Sequence, residues 1–221
     1  MDPHATDFAA ARALMVDGQV RPNKVYDQHL LDAMRTLPRE RFLPPQMRAL
    51  AYCDEDVALG GGRVLMEPRV LARLIQLAAV RAGERVLVVG AGSGYGAAVL
   101  AACGAQVTAL EEDAALLALA REALAEMAGV TLVSGPLHAG WPAGAPYDLV
   151  FIEGAADAVP PTLTGQVRMP GGRLVGVLRA AERIAHAGVG EPSGGGLSFQ
   201  PVFDCATPVL PGLRRAPAFV F

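Results

Sequence analysis

From Gly83 to about Leu178 the apolar positions fall into short unbroken runs separated by stretches of helical spacing. Val86 to Val89 is four apolar residues in a row, too short for a helix and followed by turn residues, which predicts a strand buried on both faces. Gln106 to Leu110, Val130 to Ser134, Tyr147 to Ile152 and Arg173 to Leu178 read as further strands, with Ala97 to Ala102 and Ala114 to Met127 as helices between them. Strands alternating with helices predict an α/β fold with a doubly wound, mostly parallel sheet, whose ligands lie outside the carboxyl ends of the strands.

The flanks differ. Up to about Ala79 helical segments are punctuated by proline, and Asp27 to Thr36 carries Leu30, Leu31 and Met34 as one apolar stripe. This part, residues 1–79, is expected to form a helical cap or lid, with Gly60-Gly61-Gly62 as its hinge. Residues 80–180 form the core. In 181–221, Gly188 to Gly196 predicts a flexible loop, a hairpin turn before strands near Ser198 to Asp204 and Ala218 to Phe221. The three parts make one domain without internal repeats.

The candidate chemistry sits on one turn. Gly90, Gly92 and Gly94 follow the Val86 to Val89 strand at alternate positions, so no side chain blocks a ligand from the backbone there. Glu111 ends the next strand, about 20 residues past the first glycine, where a ribose-gripping carboxylate belongs in such folds. The dinucleotide fingerprint G-x-G-x-x-G would need a third glycine where Tyr95 stands, which argues against a pyrophosphate on the helix N-terminus. The pattern G-x-G-x-G is instead typical of Rossmann-like class I methyltransferases. Their S-adenosylmethionine has no phosphate and sets its amino-acid part beside this turn.

Composition narrows the class. A chain of 221 residues can bury a full core, and its 52% hydrophobic content comes largely from alanine. No apolar run approaches the roughly 18 residues that would span a membrane, and the start, Met1-Asp2-Pro3-His4, lacks the basic head of a signal peptide. A cytoplasmic location without membrane association is expected. Cys53, Cys103 and Cys205 are odd in number and far apart, which predicts neither a disulfide framework nor a zinc site. The histidines show no metal spacing, and a net charge of -3 gives no reason to expect nucleic acid.

Several motifs in order resemble the protein-L-isoaspartate O-methyltransferases. They are Met15-Val16 with Gln19; Pro38-Arg-Glu-Arg-Phe-Leu-Pro44; Ala51-Tyr52 with Asp54; Gly90-Ala-Gly-Ser-Gly-Tyr95; Ala145-Pro-Tyr-Asp148; Gln166; and Pro170-Gly-Gly-Arg-Leu-Val175. The resemblance spans nearly the whole chain. It implies methylation of the side carboxylate of damaged aspartyl residues in a protein or peptide, with S-adenosylmethionine as donor, as the first step of repair. It also implies a cofactor site of Gly90, Ala91, Gly92, Ser93, Gly94, Tyr95, Glu111, Glu112, Pro136 and Leu137. Three positions depart from the family pattern. The serine that contacts the substrate carboxylate falls on Met66, a strand acid falls on Val88, and the acid that would take the adenine amino group falls on Pro136.

Those departures predict weak isoaspartyl activity and leave open a different acceptor, or a non-catalytic scaffold that kept the fold. The candidates for chemistry at the acceptor are Met66, Arg63 and Glu153. Arg63 and Arg69 flank Met66 and could grip an acidic group bidentately. Glu153, at the end of the Tyr147 to Ile152 strand, could orient or deprotonate an amine or hydroxyl, and would repel a carboxylate. His138 falls near the expected adenine position and could stack there.

Overall fold

The computed structural model describes residues 7–179, 184–194 and 196–215. In chain order its elements are α1 (Phe8–Met15), α2 (Gln28–Thr36), β1 (Val57–Gly60), β2 (Arg63–Leu65), α3 (Pro68–Ala78), β3 (Arg85–Val89), α4 (Tyr95–Ala102) and β4 (Gln106–Glu111). They continue with α5 (Ala114–Ala123), β5 (Val130–Ser134), β6 (Leu149–Ala156), α6 (Pro161–Thr164), β7 (Arg173–Leu178), β8 (His186–Ser193) and β9 (Gly196–Asp204). Local chemistry sets the boundaries. Asp27 and Asp113 cap α2 and α5 by accepting from Leu30 N and from Ala115 and Leu116 N. Pro68 opens α3, where a missing N–H costs nothing.

Seven strands form the main sheet in the order β5-β4-β3-β6-β7-β8-β9. The pairs from β5 to β7 are parallel, and β8 and β9 close the edge as an antiparallel hairpin. Alternate strand residues face opposite ways. Val86, Val88, Phe151 and Val175 join Leu30, Met34, Leu71 and Leu74 of α2 and α3 in one core layer. Leu87, Val89, Ile152 and Leu174 meet Leu137, Leu163, Leu210 and Leu213 in the other. Both faces are covered, which is why β3 reads as an unbroken apolar run.

Three expectations are corrected. Most of the predicted loop Gly188 to Gly196 is strand β8, paired along its length with β9. Its glycines serve close approach. A Cβ on Gly188 would strike the Phe199 ring, and one on Gly190 would lie 2.8 Å from Leu197. Next, α5 stops at Ala123, short of Met127, because Leu124 caps it and the chain turns, Met127 N donating to Leu124 O. Finally, Gly60, Gly61 and Gly62, all at positive φ, are the tight turn of the β1–β2 hairpin. The predicted strand Ala218 to Phe221 lies outside the described residues. β6 starts at Leu149, two residues after the predicted Tyr147, and runs on through Glu153 to Ala156.

Candidate functional site

The chain leaves β3 for β4 and β5 on one side and returns to β6 on the other, so a crevice opens between the carboxyl ends of β3 and β6. The glycine turn lies at its floor. Gly90, Gly92 and Gly94 have φ of 78°, 57° and 96°, and Gly94 is the N-terminal cap of α4. Gly90 N and Ala91 N both donate to Leu110 O, which ties the turn to the end of β4.

Glu111 is fully buried beside this turn, and a buried carboxylate is retained only when it is paired. Its Oε1 accepts from Arg63 Nη1 at 2.7 Å, Glu112 N at 2.9 Å and Asp113 N at 3.0 Å, and Oε2 accepts from Gly92 N at 2.7 Å. Arg63, delivered by the β1–β2 hairpin, gives its second nitrogen to Gly90 O at 2.8 Å. Thus Arg63 faces the donor side of the crevice, where it had been expected beside the acceptor. Above the turn lies Leu210: a Cβ on Gly90 or on Gly154 would come within 2.7 Å of its side chain.

The other side of the crevice is built from β6, α4 and the segment before β1. Glu153 accepts at Oε1 from Gly96 N at 3.3 Å, while its Oε2 is buried without a partner among the described residues. A Cβ on residue 96 would collide with that carboxyl, so Gly96 makes the space Glu153 occupies. Burial pushes the Glu153 pKa from 4.5 to about 8, against the opposing pull of Arg63. Burial thus favours the protonated form of this carboxyl, which would lessen its repulsion of a carboxylate.

Arg39 is buried behind it. Its Nε donates to Ala51 O at 2.7 Å and its Nη2 to Met66 O at 2.6 Å, and the guanidinium lies 4.7 Å from the centre of the Tyr95 ring. Ser93 Oγ is likewise buried without a partner among the described residues, whereas the buried Arg39 and Tyr95 side chains face each other. Burial raises the Tyr95 pKa and lowers that of Arg39.

The remaining candidates separate. Met66 is 1% exposed with its side chain in the core, and only its carbonyl turns to Arg39. Arg69 pairs with Glu67 and is close to half exposed. Pro136 precedes a short 3-10 turn whose buried Leu137 donates its N–H to Glu112 Oε2 at 3.2 Å. His138 is exposed. Val88 lies in the core. Sequence reasoning missed Arg39 and Leu210. Arg39 stood inside a motif that had been used only for resemblance, and Leu210 carries no chemical signal of its own.

S-adenosylmethionine can be tested against this donor set. The turn offers bare backbone and Glu111 offers the acceptor for a sugar diol, so the residues fit the group. The Arg63 guanidinium and the Leu210 side chain border the turn.

Comparison with known proteins agrees with this geometry. The family model described as Protein-L-isoaspartate(D-aspartate) O-methyltransferase (PCMT) matches residues 11–185. A protein-L-isoaspartate O-methyltransferase of Methylorubrum populi is 46% identical over 75% of this chain and 78% of its own length. A Rhodopseudomonas palustris protein of the same description is 42% identical over 81% of this chain and 75% of its own. Among solved structures, a protein-L-isoaspartate O-methyltransferase superposes with a TM-score of 0.77 at 23% identity, over 93% of this chain and 67% of that one. A Plasmodium falciparum structure holding S-adenosyl-L-homocysteine reaches 0.75 at 16% identity, over 91% of this chain and 98% of that one, and both support the fold. With most of its length matched by the family model and by relatives above 40% identity, the chain belongs to the protein-L-isoaspartate(D-aspartate) O-methyltransferase family.

Proposed function

We propose that this protein methylates the side carboxylate of isoaspartyl residues in peptides or proteins, with S-adenosylmethionine as donor. The observation that carries the reading is the glycine turn with Glu111 on one side of the β3–β6 crevice and a proton-bearing Glu153 on the other. S-adenosylmethionine, when bound, supplies a methyl group on a positive sulfur. Gly90, Gly92 and Gly94 would admit it to the backbone, and Glu111 would accept from its ribose.

An ionised carboxylate is already a nucleophile at neutral pH, so the acceptor needs positioning and a dry site more than a base. Glu153 would donate its proton in a hydrogen bond to that acceptor, and the buried Arg39 adds positive potential behind it. Met66 cannot hydrogen-bond from its thioether in place of a hydroxyl, so Glu153 carries the polar recognition the family serine would give.

The test is transfer of labelled methyl groups to an isoaspartyl peptide and to its aspartyl counterpart. Wild type is expected to prefer the former. Glu153→Gln keeps a hydrogen-bond donor and should retain activity within about tenfold, whereas Glu153→Leu should lose 10² or more. A Glu153→Gln variant as inactive as Glu153→Leu would point to a general base and an acceptor other than a carboxylate. Equal transfer to both peptides would refute isoaspartyl selectivity.

A further inference from the structure

A groove follows the outer side of α3, between that helix, the edge strand β9 and the turn that precedes α2. It consists of two cavities, of about 150 and 440 Å³, which have Arg73 and Phe203 in common. The smaller reaches Glu67 at the start of α3. Glu67 directly follows Met66, whose carbonyl is bonded to Arg39, so this cavity lies at the Glu153 end of the helix. The larger continues down α3 past Lys24, Tyr26, Gln76 and Val202.

The wall opposite α3 is fixed by Gln76. Its Nε2 donates to Lys24 O at 2.8 Å, and its Oε1 accepts from Tyr26 N at 2.7 Å and Asp27 N at 3.1 Å. Tyr26 and Val202 are large apolar side chains left facing solvent beside the groove. Between them Arg73 lies flat on Phe203, its Cζ 3.6 Å from the ring centre, which pre-sets the planar fork that a carboxylate fits. Among the described residues no carboxylate pairs with Arg73 or Lys24, and no acid lines the larger cavity. Arg69, by contrast, is already taken by Glu67. Two cations without counter-ions beside exposed apolar groups suit an acidic, partly apolar polypeptide segment, whereas the net charge of -3 disfavours nucleic acid.

We propose that this groove binds the acidic flank of the polypeptide substrate, with Arg73 pairing a carboxylate about three to five residues from the isoaspartyl position and Lys24 adding to the field. The inference rests on the function proposed above. Along α3, at about 1.5 Å per residue, Arg73 lies about 9 Å and Gln76 about 14 Å from Glu67. An extended chain covers about 3.3 Å per residue, so roughly three to four residues span that length. Arg73 stands outside the crevice, and it should therefore act on KM and leave kcat alone.

The test uses the full chain and isoaspartyl peptides carrying Glu, Gln or Lys about four residues to either side of the isoaspartyl position. Transfer of labelled methyl groups is measured beside fluorescence anisotropy of the same peptides, which reads binding without turnover. On one side Glu should improve kcat/KM about fivefold over Gln, through KM, with Lys poorest, and anisotropy should give the same order. The preference should fade at about 1 M salt. Arg73→Gln should remove it and Arg73→Glu should reverse it, both leaving transfer to a peptide without flanks unchanged. Lys24 is exposed, so Lys24→Glu, expected to weaken the preference at least twofold, probes the groove without touching the packing of Arg73 on Phe203. Methylation of Glu and Lys peptides with equal efficiency by wild type, or an unchanged preference in Arg73→Glu, would overturn the groove and leave the proposed function intact. An acid preference in anisotropy without any methyl transfer would retain the groove and overturn the function. Tighter binding of a single-stranded RNA than of any peptide, or a dimer in light scattering that Arg73→Glu dissociates, would give the groove to another occupant and overturn the inference.

Discussion

The two sides of the crevice solve the problem of buried charge in opposite ways. On the donor side Glu111 is saturated by four donors, three of them backbone N–H groups and one the Arg63 guanidinium. On the opposite side Glu153 Oε2 and Ser93 Oγ are buried without partners among the described residues, and Arg39 Nη1 and Tyr95 OH have only each other. Leaving a polar group in that state costs about 1–3 kcal/mol, so two beside one turn are a local weakness in the packing. The Glu111 side is satisfied from within the chain, and the Glu153 side is not.

Breaking the saturated side should have the largest effect. Glu111→Ala leaves Arg63 as a buried charge facing three orphaned N–H groups, which should destabilise the fold by about 3–5 kcal/mol in denaturant titration. Cofactor binding should be lost as well. Met66→Ser comes next. The family pattern suggests that a serine there would restore a contact with substrate, but this side chain packs in the core. The substitution should cost about 2–5 kcal/mol through a cavity and a buried hydroxyl, with no gain in methyl transfer.

The Glu153 carboxyl gives the comparison a pH signature. Its folded pKa of about 8 lies above the ordinary 4.5, so the native state binds the extra proton between those values. Stability should therefore be full below the ordinary value and fall as pH rises toward 8, by up to about 5 kcal/mol. Glu153→Gln should flatten that slope, and an unchanged slope in the variant would assign the dependence to another group. The smallest effect belongs to Arg69, itself close to half exposed but paired with the buried Glu67, where Arg69→Ala should cost about 1 kcal/mol of stability and leave transfer unaffected.

The donor side was the more legible in sequence. The run Val86 to Val89, the alternating glycines and Glu111 at the end of β4 are local signals, each set by backbone chemistry within a few residues. What borders the turn was hidden, because Arg63 and Leu210 are brought to it from 48 positions before Glu111 and from the far end of the chain. The state of Glu153 was hidden for a related reason. Its charge depends on burial under α4, made possible by Gly96, and no spacing reports burial. Strand β8 was read as loop because Gly188 and Gly190 signal a turn locally, while their purpose is the fit of Phe199 and Leu197 across the hairpin.

On our reading Glu111 grips the cofactor in the β3–β6 crevice. Calorimetric titration of wild type and Glu111→Gln with S-adenosylhomocysteine tests it most directly, since the amide keeps the side chain's size while removing the charge. The account predicts saturable heat with one site in wild type and an affinity at least about tenfold weaker in the variant. Equal affinity in the two proteins, or no heat from wild type at millimolar ligand, would contradict it.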